Sequence, residues 1–270
     1  MTCRRRTVTA TTALSCTAAL LAGAVCTGAA AATADPDGEG DLAGKSAQQI
    51  SDDALDQLVA AKSLRLRTLT TAGPTKLDIT LDQAGNCAGA ISKGALGRVQ
   101  MIKRGDQVWM KPDAAFWKSQ FPGTQGTEAA AKYKDTFLHG TTHDAFLQSL
   151  SAACDLTAFQ KSAAGTDEPP TNTPSPSITS TLTKGRPTVH EGTRVLPVVR
   201  KFDGAVQTLY VAVKGKPYPL KLTTEIDHET GTILLSNYDR PVPTKTPAPA
   251  DTVDIAVFED MLEGPDNAHT

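Results

Sequence analysis

The chain has 270 residues, with 27 Lys and Arg against 29 Asp and Glu, a net charge of −2, and only 5% aromatic residues. That balance offers no broad basic footprint for nucleic acid, and the scarcity of aromatic rings argues against a base-stacking surface. Without its atypical ends, the length allows one domain of roughly 200 residues with a substantial core.

Residues 1–34 read as an export signal. Arg4, Arg5 and Arg6 form a positive start, and 7–25 is mildly apolar, with Leu14, Leu20, Leu21 and Val25 among Ala and Thr. The stretch is too short and too weakly apolar to favour a permanent membrane span. Two exits are open. Gly23-Ala24-Val25-Cys26 has the outline of a lipobox, which would cleave before Cys26 and acylate it as a membrane anchor, although Gly23 and Val25 depart from the usual residues at their positions. Ala32-Thr33-Ala34 is an A-x-A site for signal peptidase I cleavage near Ala34 and release. Either exit puts the mature chain outside the cytoplasm, anchored to the cell membrane or secreted. In that oxidising compartment Cys87 and Cys154, the pair left in the folded part, are expected to form a disulfide.

Residues 35–44 read as a polar tether. A helix follows over 46–63, with Ile50, Ala54, Leu55, Leu58 and Val59 at three and four spacing. Strands come next around Leu64 and Leu66, then Leu77, Ile79 and Leu81, then 87–92, 97–103 and 107–111, bounded by Gly73-Pro74, Gly85-Asn86 and Gly105-Asp106. Three short helices are predicted over 113–121, 127–137 and 142–153, where aromatic residues cluster: Phe116, Trp117, Phe121, Tyr133, Phe137 and Phe146. A Pro/Ser/Thr stretch at 168–177 separates these from strands at 178–184, 186–190 and 194–202. The strongest local pattern is 209–239. Leu209, Val211 and Val213 alternate, Lys214-Gly215-Lys216 turns, Tyr218, Leu220 and Leu222 alternate, 227–231 turns, and 232–238 forms a third run. The domain is expected to span 45–256, with an extended Pro-rich run at 244–250, a short element at 254–262, and a frayed tail over 257–270.

Both strand groups have one apolar face, and each such face needs cover. The economical solution is an α+β domain in which one long, curved antiparallel sheet, a half-barrel, wraps around a helical lid. The space under the lid is then either packed solid or a cavity for an apolar ligand. The aromatic residues Trp109, Phe116, Trp117 and Phe121 suit a ligand mouth and a core equally.

The layout resembles the LppX/LprG-type lipoproteins of the LolA-like superfamily. The matching residues are Leu209-Tyr210-Val211-Ala212 followed by Gly215-Lys216-Pro217-Tyr218-Pro219-Leu220. Ser236-Asn237-Tyr238 with Pro241-Val242 and Pro247, and the join from Val108-Trp109-Met110-Lys111 to Phe116-Trp117, match as well. The resemblance implies a LolA-like half-barrel and an exported, membrane-anchored lipoprotein that binds or carries lipid or another acylated ligand. Candidate cavity and lid residues are Leu77, Ile79, Trp109, Phe116, Trp117, Phe121, Phe137, Phe146, Leu209, Val211 and Leu220. The alternative is a non-catalytic envelope module using the same fold for contacts with an envelope protein partner.

Catalytic chemistry finds little support. His139 and His143 are four apart, but Gly140 intervenes and the zincin Glu is missing. His228 sits in the acidic turn Asp227-His228-Glu229, and no nucleophile elbow, phosphate loop or dinucleotide fingerprint occurs. No enzyme activity, cofactor or metal is expected. Lys214, Lys216 and Lys221 read as lysines that discourage edge pairing. If Cys26 is the anchor, Cys26→Ala abolishes metabolic acyl labelling and releases the protein from membranes; labelling that survives the change selects cleavage near Ala34.

Overall fold

The helix that opens the domain starts with a reciprocal cap. In the computed structural model, which describes residues 40–71, 73–164, 180–202, 204–243 and 245–263, Ser46 Oγ accepts from Gln49 N and Gln49 Oε1 accepts from Ser46 N. This fixes α1 (Ala47–Ala60), which buries Ile50, Ala54 and Leu58. The export signal with Cys26, and the stretch 168–177, lie outside the described residues.

Five strands follow as an antiparallel meander: β1 (Ser63–Thr70), β2 (Thr75–Asp82), β3 (Cys87–Lys93), β4 (Arg98–Arg104) and β5 (Gln107–Pro112). Then come α2 (Ala114–Gln120), α3 (Thr124–Lys132), β6 (Phe137–Thr141), α4 (Ala145–Ser151) and α5 (Leu156–Ala163). The second strand group is β7 (Thr181–Lys184), β8 (Thr188–His190), β9 (Thr193–Phe202), β10 (Ala205–Ala212), β11 (Pro219–Ile226) and β12 (Glu229–Ser236), and the described chain closes with β13 (Thr252–Asp254) and α6 (Ala256–Glu263).

All 13 strands share one sheet, ordered β13-β6-β5-β4-β3-β2-β1-β12-β11-β10-β9-β7, with β8 also on β9. The groups meet where β1 pairs antiparallel with β12, Leu66 opposite Leu235 and Thr68 opposite Ile233. Every pairing is antiparallel except that of β13 with β6. The sheet is curved and unclosed, as expected for an α+β half-barrel. Gly89 marks a close approach within it: a Cβ there would lie 2.2 Å from Asp78 O and 2.5 Å from Ile79 Cα, so only glycine fits.

Two apolar clusters sit on the concave side. The larger joins β1–β6 to the helices through Leu64, Ile79, Leu81, Met101, Met110, Trp117, Leu138, Leu147 and Phe258. The smaller joins α1 to β9 and β10 through Leu42, Ile50, Ala54, Leu196, Val198, Val211 and Val213.

Several expected boundaries move. The helix expected over 127–137 starts at Thr124 and ends at Lys132, and Phe137 begins β6, because Leu138 is drawn between Met110 of β5 and Val253 of β13. The segment after Cys154 forms α5, capped by Asp155 accepting from Ala158 N at 2.8 Å. The tail expected over 257–270 is helical as far as Glu263, with Phe258 fully buried. The tether expected over 35–44 is already docked at Leu42, which is 2% exposed under α1. In both terminal segments, burial of one large apolar side chain offsets the entropy of ordering.

Cys87 of β3 and Cys154, at the end of a 3-10 turn after α4, are disulfide-bonded across a sequence separation of 67. Both are buried, so the bond ties the helical layer to the sheet. Cys154→Ser is expected to cost about 4 kcal/mol, the chain-entropy value for a closed loop of this size, read by urea unfolding; an unchanged midpoint refutes it.

Candidate ligand cavity

The two halves of the concave face are covered differently. Over β1–β6, aromatic rings from four helical or turn segments fill the space. Trp117, 1% exposed, packs against Phe121 at 6.1 Å, Tyr133 at 5.3 Å and Phe258 at 5.6 Å between ring centroids. Phe146 meets Phe258 at 4.7 Å and Phe116 at 6.3 Å. The expectation that this cluster lines a cavity is therefore corrected: Trp117, Phe121 and Ile79 are buried core, and Phe116, Phe146 and Leu77 are partly buried and packed against it. The physical reason is Phe258, which arrives from α6 and fills the centre of the group.

Trp109 and Phe137 are corrected in another sense. Val108 and Met110 are buried inward, so Trp109 points to the opposite face, where it stacks on His139 at 4.8 Å. His139 Nε2 lies 2.7 Å from Gln107 Oε1 on the same face. Phe137 is two residues from His139, with Lys111 Nζ 5.0 Å from its ring centroid. His143 lies in the turn before α4, its N–H donated to Thr141 Oγ1. Among the described residues no group of three or more His, Cys, Asp or Glu could hold a metal ion.

The space left open lies over the other half. A cavity of about 630 Å3 is bounded by α1, α5 and strands β7 and β9–β12. Its apolar wall comprises Leu55 and Leu58 of α1, Phe159 of α5, Leu182, Val198, Leu209, Leu222, Ile233 and Leu235. Register explains the wall: Val198, Leu209, Leu222 and Ile233 stand opposite one another across four neighbouring strands. Of the expected lining residues, Leu209 belongs to this wall. Val211 is one inward position further along, sealed under α1 at 0% exposure. Leu220 is partly buried but is not a lining residue; a register shift between Tyr210 and Val211 instead brings in Pro219 and Leu222 from β11.

The helical walls are held by Gln160, only 4% exposed, whose Nε2 donates to Leu58 O and Ala61 O, each at 2.8 Å. These carbonyls close the C-terminal end of α1, where Leu58 O also accepts from Ala61 N at 3.3 Å and Ala61 O has no further helical turn to satisfy it. Gln83 Nε2 adds a second donor to Ala61 O at 3.1 Å. The chain leaving β12 is pinned nearby: Asp239 accepts from Lys62 N and Tyr218 Oη, each at 2.9 Å. These two bonds, the backbone one first, hold its carboxyl below the usual range. Tyr218 and Tyr238 stack at 4.1 Å, and burial pushes the Tyr238 hydroxyl up.

Leu55, Phe159, Leu182, Val198, Leu222, Ile233 and Leu235 were not among the expected lining residues. The alternation of β11 and the spacing of α1 show that these positions are apolar; that they face empty volume depends on α5, whose helix has little sequence signal beyond the Asp155 cap.

Together these features define a class: an α+β protein with an open antiparallel half-barrel, helices on its concave face, and an apolar cavity between them. No family model and no curated protein matches the chain. Among solved structures it is similar to the Mycobacterium tuberculosis lipoprotein LppX, at 12% identity and TM-score 0.44 over 74% of this chain and 98% of that one. It is also similar to LprF from Mycobacterium bovis, at 11% identity and TM-score 0.49, covering 75% and 97%. A third similar structure is an uncharacterized conserved protein from Thermus thermophilus, at 13% identity and TM-score 0.32, covering 77% and 98%. The fold class rests on the strand order and register above.

Gln160→Leu keeps the side-chain volume and removes one donor from each carbonyl, leaving Leu58 O with Ala61 N and Ala61 O with Gln83 Nε2. It is expected to destabilise the protein by about 1–3 kcal/mol and to speed hydrogen exchange at the C-terminal end of α1. Unchanged stability and exchange would mean the clasp does not hold these walls.

Proposed function

We propose that the chain is an exported protein that binds and carries a lipid or similar acylated ligand in the cavity under α1 and α5. One observation carries this reading. Leu55, Phe159, Leu182, Leu209, Leu222 and Ile233 all face the same cavity, and each remains partly open to solvent. Apolar side chains converging on a concave space without filling it are the pattern of a ligand site, and a volume of about 630 Å3 lies within the roughly 300–1,000 Å3 of small-molecule pockets. Acyl chains need no directed contacts there, since burial contributes about 25 cal/mol per Å2 of apolar area.

Export rests on the Arg4–Arg6 start, the mildly apolar run and the small residues after it. Anchoring through an acyl group on Cys26, or release after cleavage near Ala34, follows from the same segment. No described helix is long and apolar enough to cross a membrane. The carrier reading invokes no catalysis, cofactor or metal, and the solid aromatic packing over β1–β6 serves as its rigid base.

Leu55→Glu tests the reading at a helical, partly exposed position where folding tolerates the change. Delipidated wild-type protein is expected to bind a fluorescent fatty-acid probe, and the variant to lose at least roughly tenfold in affinity, since a charge in an apolar site carries a desolvation cost. Equal affinity in both proteins, or native mass spectra of protein from its natural host without bound lipid, would reject the carrier and favour the envelope-partner alternative.

A further inference from the structure

The cavity wall changes character in a single step along the sheet. The apolar row Val198, Leu209, Leu222 and Ile233 is followed, two residues along each strand, by Arg200, Gln207, Thr224 and Gly231. Period-two geometry puts both rows on the concave face. Arg200 and Gln207, directly paired across β9 and β10, line the cavity. From the helix side the same cavity is lined by Gln48, Ser51 and Asp52, at the opposite end of α1 from Leu58. The site is thus apolar at one end and polar at the other.

Arg200 is the cation of this rim. It is exposed, and among the described residues it makes no ion pair. Asp52 is the anion of the rim, held by Gln48 Nε2 at 2.7 Å rather than by Arg200. A guanidinium left free beside an apolar cavity matches an oxyanion with two acceptor oxygens attached to an acyl chain. Asp52 on the helical wall disfavours a second negative charge at the same place.

We propose that the ligand is an amphiphile with a singly charged phosphate-type head, its acyl portion lying along the Leu209 row and its head held by Arg200 with Gln207. This rests on the carrier reading and adds the class of head group. Free phosphate offers the same oxyanion chemistry, and the test separates the two sources.

Delipidated full-length protein carrying a fluorescent fatty-acid probe is titrated with phosphatidylglycerol and, separately, with a diacylglycerol of identical chains. Inorganic phosphate forms a third arm. Phosphatidylglycerol is expected to displace the probe at roughly tenfold lower concentration, the size of one charge-assisted contact at a solvent-accessible rim. In Arg200→Gln that ratio falls to about one, while the affinity for diacylglycerol, corrected for the variant's own affinity for the fatty-acid probe, is unchanged; in wild type the ratio shrinks as salt is raised. Inorganic phosphate alone is expected to displace nothing and to leave the phosphatidylglycerol curve unmoved at matched ionic strength. Equal displacement by the two lipids in wild type, or a preference that survives Arg200→Gln, overturns the head-group assignment and leaves the carrier standing. Phosphate that competes with phosphatidylglycerol by itself makes the rim a free-anion site and overturns the lipid assignment. If neither lipid displaces the probe, the carrier reading and the head-group assignment fall together.

Discussion

The pairing of β1 with β12 is the constraint on which the rest depends. One strand lies just after the first helix and the other near the end of the second strand group, yet they form a continuous ladder from Arg65 opposite Ser236 to Thr70 opposite Gly231. Without it there are two separate meanders, each with a single apolar face and no partner. With it, one concave surface runs from β13 to β7, and every helix has somewhere to pack. The turn after β12 reinforces the joint. Asp239 N donates to Ser63 O, Ser63 Oγ donates to Arg240 O, and the Asp239 carboxylate receives Lys62 N. The start of β1 and the exit from β12 are thereby stitched together where the two halves of the sheet meet.

A single concave surface does not imply a single kind of interior. Over β1–β6 it is filled by α2, α3, α4 and α6, clamped by the Cys87–Cys154 bond and centred on Trp117 and Phe258. Over β9–β12 it is crossed by α1, whose buried stripe of Ile50, Ala54 and Leu58 faces the clusters while Gln48, Ser51 and Leu55 border open volume. The difference is one of supply. Six aromatic side chains, Phe116, Trp117, Phe121, Tyr133, Phe146 and Phe258, are delivered to one half, and the other receives one helix and the end of α5. Rigid packing on one side beside an unfilled apolar space on the other suits a container, since the filled half can hold the wall strands in place whether or not the cavity is occupied.

The outer face adds little to this picture. Arg65 makes a bidentate pair with Asp78, both contacts at 2.8 Å, which draws the Asp78 carboxyl below its usual range. Arg67 meets Glu191 at 2.7 Å from the hairpin between β8 and β9. These pairs are substantially exposed, so their net contribution to stability is small. Their placement on the solvent side of β1 and β2 is what the alternation of Leu64 and Leu66 with Arg65 and Arg67 requires.

Period-two alternation was enough, within the sequence, to determine the two main strand groups, though not the short strands β6 and β13, and with them the face each turns inward and the need for one covered, curved sheet. The meander over 209–239 emerges in the structure as the end of β10 followed by β11 and β12. What tertiary structure alone decided was where that sheet is solid and where it is hollow. Leu209 and Trp117 are both apolar residues on amphipathic elements, yet one faces a cavity and the other a stack of rings. The outcome depends on partners distant in sequence: Phe258 from α6 fills one half, and Gln160 from α5 sets the wall of the other. Local pattern records which side of a strand avoids water; it carries no record of how much volume the opposite layer brings, and that balance of volumes separates a core from a cavity.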